Sequence, residues 1–216
     1  MAVGRFITFE GGEGAGKSTQ VQHLAAKLKN SGLNVLTTRE PGGSPGAEAI
    51  RKLLLGGTAD WDPKTEALLH FTARRDHALK TILPALKRGD WVLCDRFSDS
   101  TVAYQGHGHG LVSTIISQIS QLTLGDLGPP GLVPDLTIIL DLDVRTGLER
   151  AKGRGQGLDH YESLDLDFHN RLRQAFLDIA RQEPERCFVF DATAPEEAIS
   201  EEVTKLVGRQ LGVNLT

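Results

Sequence analysis

The feature that most constrains the fold of this chain is a glycine-rich stretch close to its amino terminus. It matches the pattern G-x-x-x-x-G-K-[ST] and reads Gly11-Gly12-Glu13-Gly14-Ala15-Gly16-Lys17-Ser18-Thr19. The stretch follows an apolar run that predicts a buried strand, and it precedes apolar residues at helical spacing. Glycines let successive N–H groups point at phosphate oxygens, and the helix start adds a partial positive charge. The stretch therefore predicts a P-loop that binds a nucleoside triphosphate through residues 11–19.

Two side chains of this loop have predicted chemical roles. Lys17 can reach the β- and γ-phosphates, and the hydroxyl of Ser18 can hold Mg²⁺. The guanine-binding pattern N-K-x-D does not occur in the chain. We therefore expect Mg²⁺ as the cofactor of a bound nucleotide and do not expect a GTPase.

Five short runs read as strands, and they alternate with loops or helical patterns. The runs are Phe6 to Phe9, Asn34 to Thr38, Trp91 to Cys94, Leu136 to Leu142 and Cys187 to Phe190. Such alternation implies right-handed crossovers and a parallel sheet. The predicted fold is α/β, a three-layer P-loop NTPase type with a five-stranded parallel sheet flanked by helices and a mobile lid. With 216 residues, a single domain over 1–216 is expected.

Four apolar stripes at helical spacing predict helices that pack against this sheet. One of them joins Leu79, Ile82, Leu83 and Leu86, and Pro84 within it predicts a bend or a break.

The composition excludes some classes of function. The net charge is −4 and there is no basic tail, which argues against a nucleic-acid coat or a polybasic membrane contact. The amino-terminal sequence resembles neither a signal peptide nor a membrane span. Cys94 and Cys187 lie far apart and predict free core thiols in a reducing compartment. We expect a cytoplasmic protein that binds neither nucleic acid nor membrane.

Two arginines follow predicted strands, where ligands lie in open parallel sheets. Arg39 follows the second strand and Arg96 the third. A guanidinium fork binds phosphate by bidentate contacts. In a chain that already has a P-loop, these arginines predict a second ligand that carries a phosphate.

Several segments together resemble bacterial thymidylate kinases. They are FEGGEGAGKST, TREPGGS, FTARRDH, DRFSDSTVAYQG and the late DAT-x-P-E-E, and they run in that family's order from about Phe6 to Pro195. The resemblance implies transfer of the γ-phosphoryl group of ATP to dTMP, giving dTDP and ADP. It also implies a homodimer. The attacking atom would be an oxygen of the acceptor's own phosphate, so no protein nucleophile is needed.

The resemblance assigns residues to the phosphate and sugar of the acceptor. Arg39 and Arg96 would bind its phosphate, and Arg51 would help to position it. Glu13 would face the 3′-hydroxyl group. Tyr104 would crowd the 2′ position and so favour deoxyribose.

The resemblance also assigns residues to the base. Phe71 would stack on the thymine ring, and Arg75 would donate a hydrogen bond to a base carbonyl. Thr101 and Gln105 would complete the recognition of the base.

A metal carboxylate is expected at the end of a strand. Asp95 ends an apolar strand, where a carboxylate can hold Mg²⁺ or its waters together with Ser18. Asp141 and Asp143 end the next strand and stay as rivals. The resemblance favours Asp95.

A glycine-rich segment predicts a lid at about residues 150–162. The P-loop carries no basic residue at its variable positions, Gly12 to Ala15. In the family, such a P-loop goes with a cation supplied by the lid. Arg154 is the first candidate and Lys152 the second, and with Lys17, Arg96 and Asp95 they form the predicted catalytic set. Closure would exclude water from the reaction.

Two other functions stay open from the residues alone. One is a kinase for another nucleoside monophosphate or a small metabolite. The other is a nucleotide-dependent switch or assembly ATPase, for which Arg39 and Arg96 would have no evident use.

Overall fold

The computed structural model describes residues 4–56, 59–127, 131–153 and 160–215. Every predicted strand is present, and all neighbouring strands are parallel in the order β2-β3-β1-β4-β5. The strands are β1 (Arg5–Gly11), β2 (Val35–Arg39), β3 (Trp91–Asp95), β4 (Leu136–Asp141) and β5 (Cys187–Asp191). The prediction of a five-stranded parallel sheet flanked by helices is confirmed.

Helices connect the strands and cover both faces of the sheet. The α-helices are α1 (Lys17–Asn30), α2 (Pro45–Leu55), α3 (Pro63–His77), α4 (Leu83–Arg88), α5 (Ser98–Thr101), α6 (Ser113–Leu124), α7 (Val144–Lys152), α8 (Leu166–Gln182) and α9 (Glu196–Leu211). Two π-helical segments, Ala78–Ile82 and Val102–Gly108, and a 3-10 turn, Tyr161–Ser163, lie between them.

Successive side chains of a strand point to opposite faces, and this alternation divides the core into layers. Ile7 and Phe9 of β1 pack with α1 and α9 on one face. Phe6, the residue before Ile7, packs on the other face with residues of α4 and β3. A further cluster joins α8 to the sheet on that second face. The arrangement is a three-layer α/β domain.

The helical pattern around Pro84 is interrupted, as the sequence predicts. The π-helical segment Ala78–Ile82 separates α3 from α4, and Pro84 lies in the first turn of α4. Proline has no N–H for an internal helical bond, so an irregular turn before it is expected. The prediction that Leu79 packs in the core is wrong, because its side chain is exposed. The wider π turn moves it out of phase with buried Ile82.

The carboxyl ends of three strands meet at one edge of the sheet. Arg39 pairs with Asp95 in the register of β2 and β3, and Phe9 pairs with Asp95 in that of β1 and β3. The register therefore brings the P-loop, Arg39 and the Asp95-Arg96 turn close together.

The fold bears on two predictions, one about membrane-spanning helices and one about the two cysteines. In the described ranges, no helix combines the length and the apolar character that crossing a membrane would require. Cys94 and Cys187 are both buried and both free, as predicted.

Candidate active site

The P-loop connects β1 to α1 and depends on glycine at several positions. Gly11, Gly14 and Gly16 have φ values of 133°, 66° and 91°, which favour glycine. At Gly14 a Cβ atom would also lie 2.0 Å from the carbonyl oxygen of Gly147. In turn, a Cβ at Gly147 would lie 2.4 Å from the carbonyl oxygen of Glu13. This close approach of α7 makes Gly147 a part of the site that the sequence pattern did not reveal.

Lys17 is buried inside the loop. Its Nζ donates to the carbonyl oxygens of Gly12 at 2.7 Å and Gly11 at 3.2 Å. Burial, and next the positive charge of Arg96, lower the pKa of Lys17 to about 8, although Glu13 and Asp95 oppose the shift. The ammonium group therefore carries a desolvation cost that a bound polyphosphate would offset.

The predicted metal residues lie together. The Ser18 hydroxyl donates to Oδ2 of Asp95 at 2.5 Å. A hydroxyl and a carboxylate at this distance are the hard oxygen ligands that Mg²⁺ takes when phosphates and waters complete its shell. In the parts of the chain that the structure describes, no three His, Cys, Asp or Glu side chains form a metal cluster. The pair fits Mg²⁺ as a partner of a nucleotide phosphate rather than as a separate protein site.

The rival carboxylates have other partners. Arg173 forms a bidentate ion pair with Asp141, in which Nε donates to Oδ1 at 2.6 Å and Nη2 donates to Oδ2 at 2.9 Å. Asp143 caps α7 by accepting the N–H of Thr146 at 3.1 Å, and this hydrogen bond lowers the pKa of Asp143. These contacts favour Asp95 as the metal carboxylate.

A cavity of about 630 Å³ opens at the carboxyl edge of the sheet beside the P-loop. Most of the predicted site residues line it, namely Glu13, Gly14, Ala15, Gly16, Lys17, Ser18, Thr19, Arg39, Arg51, Asp95, Arg96, Thr101, Tyr104 and Gln105. Gly11 and Gly12 lie at the base of the loop behind this lining. The volume is in the range of small-molecule sites.

Arg96 lies at the centre of this lining. Its Nη2 donates to Oε1 of Glu13 at 2.8 Å, and its Nη1 donates to the carbonyl oxygen of Gly11 at 2.9 Å. The guanidinium lies 5.0 Å from the ring centre of Tyr104, whose hydroxyl also donates to Glu13. Burial opposes the charge of Arg96, but Tyr104 and Glu13 outweigh it and hold its pKa above the ordinary value. A permanent positive charge thus adjoins Lys17 in one cavity.

The other two arginines that were predicted to bind phosphate each form hydrogen bonds with residues of the segment 39–51. Arg39 is half-exposed, and its Nη2 donates to Oε1 and Oε2 of Glu48 on α2 at 3.0 and 3.2 Å. Arg51 donates to the carbonyl oxygen of Pro41 at 2.7 Å. Both are cations on the cavity wall.

The structure contradicts the predicted places of Phe71 and Arg75, which do not line the cavity. Phe71 is 1% exposed and packs with Ala67 and residues of α6. Arg75 forms an ion pair with Asp126 at 2.7 Å. Positions 71 and 75 are four apart and share one face of α3, and that face points toward α6.

The neighbouring face of α3 carries the cavity residues instead. His70 and Arg74 both line the cavity, one position before each predicted residue. One residue rotates a helical face by about 100°, which separates the two pairs. The sequence did hold this signal, since His70 and Arg74 have the same i, i+4 spacing as Phe71 and Arg75.

Arg74 is anchored on three sides. It donates to Oε2 of Glu40 at 2.6 Å, to the hydroxyl of Thr101 at 3.1 Å and to the carbonyl oxygen of Phe97 at 3.0 Å. Its side chain is 2% exposed. The network fixes one edge of the cavity.

His70 takes part in a second network with a residue near the carboxyl-terminal end of the predicted lid. Its Nε2 lies 2.8 Å from the hydroxyl of Tyr161, which donates to Oε1 of Glu66 at 2.8 Å. Gln105 donates to Oε2 of Glu66 at 3.2 Å. Burial, followed by the charges of Arg74 and Arg96, lowers the pKa of His70 to about 3. The ring at the cavity wall is therefore neutral.

The chain resembles known proteins over nearly its whole length. The family model described as thymidylate kinase matches residues 9–203. The chain belongs to the thymidylate kinase family. It is 53% identical to a thymidylate kinase of Caulobacter vibrioides over 99% of this chain and 100% of the relative. A thymidylate kinase of Bradyrhizobium sp. (strain ORS 278) is 51% identical over 96% and 91% of the two chains. The crystal structure of thymidylate kinase from Ehrlichia chaffeensis has a TM-score of 0.75 and 36% identity, and covers 95% of this chain and 99% of its own.

The lid of this thymidylate kinase family member is described only in part. Arg154, the first candidate for the lid cation, lies outside the described residues. Lys152 is the last residue of α7 and is exposed, away from the cavity lining. Arg150 does line the cavity and donates to the carbonyl oxygen of Ala192 at 3.2 Å. At the carboxyl-terminal end of the predicted lid, Tyr161 and Glu162 line the same cavity.

Proposed function

We propose that this chain is an ATP-dependent thymidylate kinase that converts dTMP and ATP into dTDP and ADP. The observation that carries the proposal is that one cavity holds both the P-loop lysine, Lys17, and a second phosphate-binding cation, Arg96. A kinase that transfers a phosphoryl group between two nucleotides needs a cation for the donor and another for the acceptor. A nucleotide switch has no acceptor and needs only the donor cation. Membership of the family and the size of the cavity support the same reaction.

Donor phosphates are bound in this proposal by the backbone N–H groups of residues 11–19 and by Lys17. Ser18 and Asp95 would hold Mg²⁺, directly or through its waters. When bound, the metal would supply positive charge that neutralises the donor phosphates. The protein contributes alignment and fixed positive charge rather than covalent chemistry.

The phosphate and the sugar of dTMP lie against the same cations in this proposal. Arg96 holds the acceptor phosphate next to the transferred group, and Arg39 and Arg51 hold its outer oxygens. Glu13 accepts the 3′-hydroxyl proton in a hydrogen bond, and Tyr104 fills the space at the 2′ position. The contact between Tyr104 and Glu13 supports this pairing, because it places a ring edge beside the carboxylate.

Residues of the wall formed by α3 and the segment 101–105 recognise the thymine ring. We assign the stacking role to His70 and the hydrogen bond to a base carbonyl to Arg74, in place of Phe71 and Arg75. Thr101 and Gln105 complete the wall, as predicted from the sequence. Neutral His70 offers an aromatic face, and the neighbouring cation favours a carbonyl oxygen.

The lid supplies a further cation in this proposal. Arg154 is the first candidate and Lys152 the second, because the P-loop itself offers none at positions 12–15. Arg150 is a third candidate, since it already lines the cavity.

Assembly and location complete the proposal. A homodimer is part of the proposal because the resemblance to the family implies it. Light scattering of the purified chain would measure its mass in solution. Two buried free cysteines support a reducing compartment such as the cytoplasm.

The test of the reaction is a panel of acceptors. The chain is incubated with Mg-ATP and each nucleoside monophosphate, and ADP release and the product are followed. We expect product with dTMP, a weak reaction with dUMP, and none with Lys17→Met. Equal ADP release with and without any acceptor would instead indicate a switch ATPase, and preference for another monophosphate would contradict the assignment of the base.

A further inference from the structure

Arg96, the central cation of the cavity, has an unusual backbone. Its φ is 70°, and no other non-glycine residue in the described part of the chain has a positive φ. A side chain with a Cβ atom is strained in this region, so surrounding contacts must hold the residue there. Strain of this kind aims a side chain in a direction that a regular strand end would not allow.

The backbone of Arg96 and Phe97 is held by hydrogen bonds from several sides. The Arg96 N–H donates to the carbonyl oxygen of Phe9 at 2.9 Å. The Phe97 N–H donates to Oε1 of Glu10 at 2.7 Å, and the Phe97 carbonyl oxygen accepts from Arg74 at 3.0 Å. Two of the partners that hold this turn are thus buried charged side chains.

The second oxygen of Glu10 is connected to the guanidinium itself. The Ser100 hydroxyl donates its proton to Oε2 of Glu10 at 2.6 Å. Because that proton is committed, Ser100 Oγ presents a lone pair, and Nη1 of Arg96 donates to it at 3.3 Å. One carboxylate therefore holds both the backbone turn and, through Ser100, the head group of Arg96.

The surroundings of Glu10 disfavour its charged form. Glu10 is fully buried in the sheet and does not line the cavity. Burial, and next the charge of Asp99, raise the pKa of Glu10 to about 7, while Arg96 opposes the shift. A fully buried carboxylate is rare in proteins unless it is paired or hydrogen-bonded, as Glu10 is here.

We propose that Glu10 is a positioning residue that fixes the turn and the guanidinium of Arg96 for phosphoryl transfer, without contact to either substrate. The inference rests on the proposed function of Arg96. It explains why a carboxylate occupies the last buried position of β1 before the P-loop glycines.

A double-mutant cycle tests the proposal. Glu10→Gln keeps the size of the side chain but removes the charge and the committed acceptor for Ser100. We expect kcat to fall about 10- to 100-fold in the wild-type background, as for a misplaced catalytic group, with the KM for dTMP changed less than about 3-fold. In an Arg96→Ala background the same substitution should change single-turnover rates less than about 2-fold. An equal loss in both backgrounds would overturn the proposal.

A matched control and a second measurement separate positioning from simple destabilisation. Thr8→Val on β1 removes the buried hydrogen bond to Thr137, 2.8 Å long, and should leave kcat unchanged. Ser100→Ala deletes one hydroxyl and should lower kcat in the same non-additive way, even where Glu10→Gln folds poorly.

Amide hydrogen exchange at Phe97 gives a readout that is independent of the reaction. Exchange should be faster in Glu10→Gln than in Thr8→Val and the wild type, and unchanged protection would overturn the anchor. If the wild type phosphorylates no dTMP, the proposed function is wrong, but the exchange result still decides whether Glu10 holds the turn.

Discussion

Two neighbouring residues of α3, His70 and Phe71, provide a sharp test of which helical face forms the acceptor site. Phe71 is 1% exposed in a cluster with Ala67 and Ile116, so Phe71→Ala leaves a cavity in the core. Such a change costs about 3–5 kcal/mol. For a chain of this length, about 2–4 °C are lost per kcal/mol, so Tm should fall by roughly 6–20 °C.

The neighbouring substitution should have the opposite profile. His70 lines the cavity, and base stacking on an aromatic ring is worth about 1–3 kcal/mol. His70→Ala should therefore weaken dTMP binding by roughly 5- to 150-fold, since 1.4 kcal/mol is about a factor of ten. Its effect on Tm should be smaller than that of Phe71→Ala, because the ring is only partly buried.

Calorimetric titration with dTMP at a temperature where all variants are folded measures the first quantity, and thermal unfolding measures the second. Thr72→Ala is the matched control, since Thr72 is exposed on the same helix. We expect the control to match the wild type in both measurements. The reasoning would be refuted by Phe71→Ala weakening dTMP binding more than His70→Ala while Tm stays unchanged.

Three further predictions follow from the donor side and the lid. The pKa of Lys17 is lowered from 10.5 to about 8, so the unfolded state binds more protons between pH 8 and 10.5 and stability rises with pH in this window. Lys17→Met should abolish this rise in pH-dependent unfolding and gain on the order of 3 kcal/mol at pH 7, while kcat falls by at least about 100-fold; a parallel pH dependence in the variant would contradict the assignment. Asp95→Asn should raise the Mg²⁺ concentration for half-maximal activity by about 10-fold or more, with partial recovery at high Mg²⁺, and an unchanged Mg²⁺ titration would favour Asp141 or Asp143. Arg154→Ala should lower kcat about 100-fold or more with little change in KM, and unchanged turnover next to a large loss in Lys152→Ala would transfer the role to Lys152.

The strands and the donor site could be predicted because their signals are local. Each buried strand is a short apolar run, and the P-loop pattern requires glycines at fixed offsets between a strand and a helix. Gly147 shows the limit of such reasoning. Its role depends on the approach of α7 to the P-loop, which is a contact between segments more than 130 residues apart.

The residues of the acceptor wall depend on which face of α3 points to the cavity, and the sequence alone does not determine that face. FTARRDH contains an aromatic residue and two adjacent arginines, and the family resemblance assigns the stacking role to Phe71 and the base carbonyl to Arg75. Burial decides otherwise, since a phenylalanine gains more than a histidine from the contact with α6. The two arginines also lie on different faces of α3. Arg74 belongs to the buried network with Glu40, and Arg75 pairs with Asp126 at the surface. A helix that separates a core from a cavity places its most apolar residues toward the core, so the polar ring is the one to expect at the ligand.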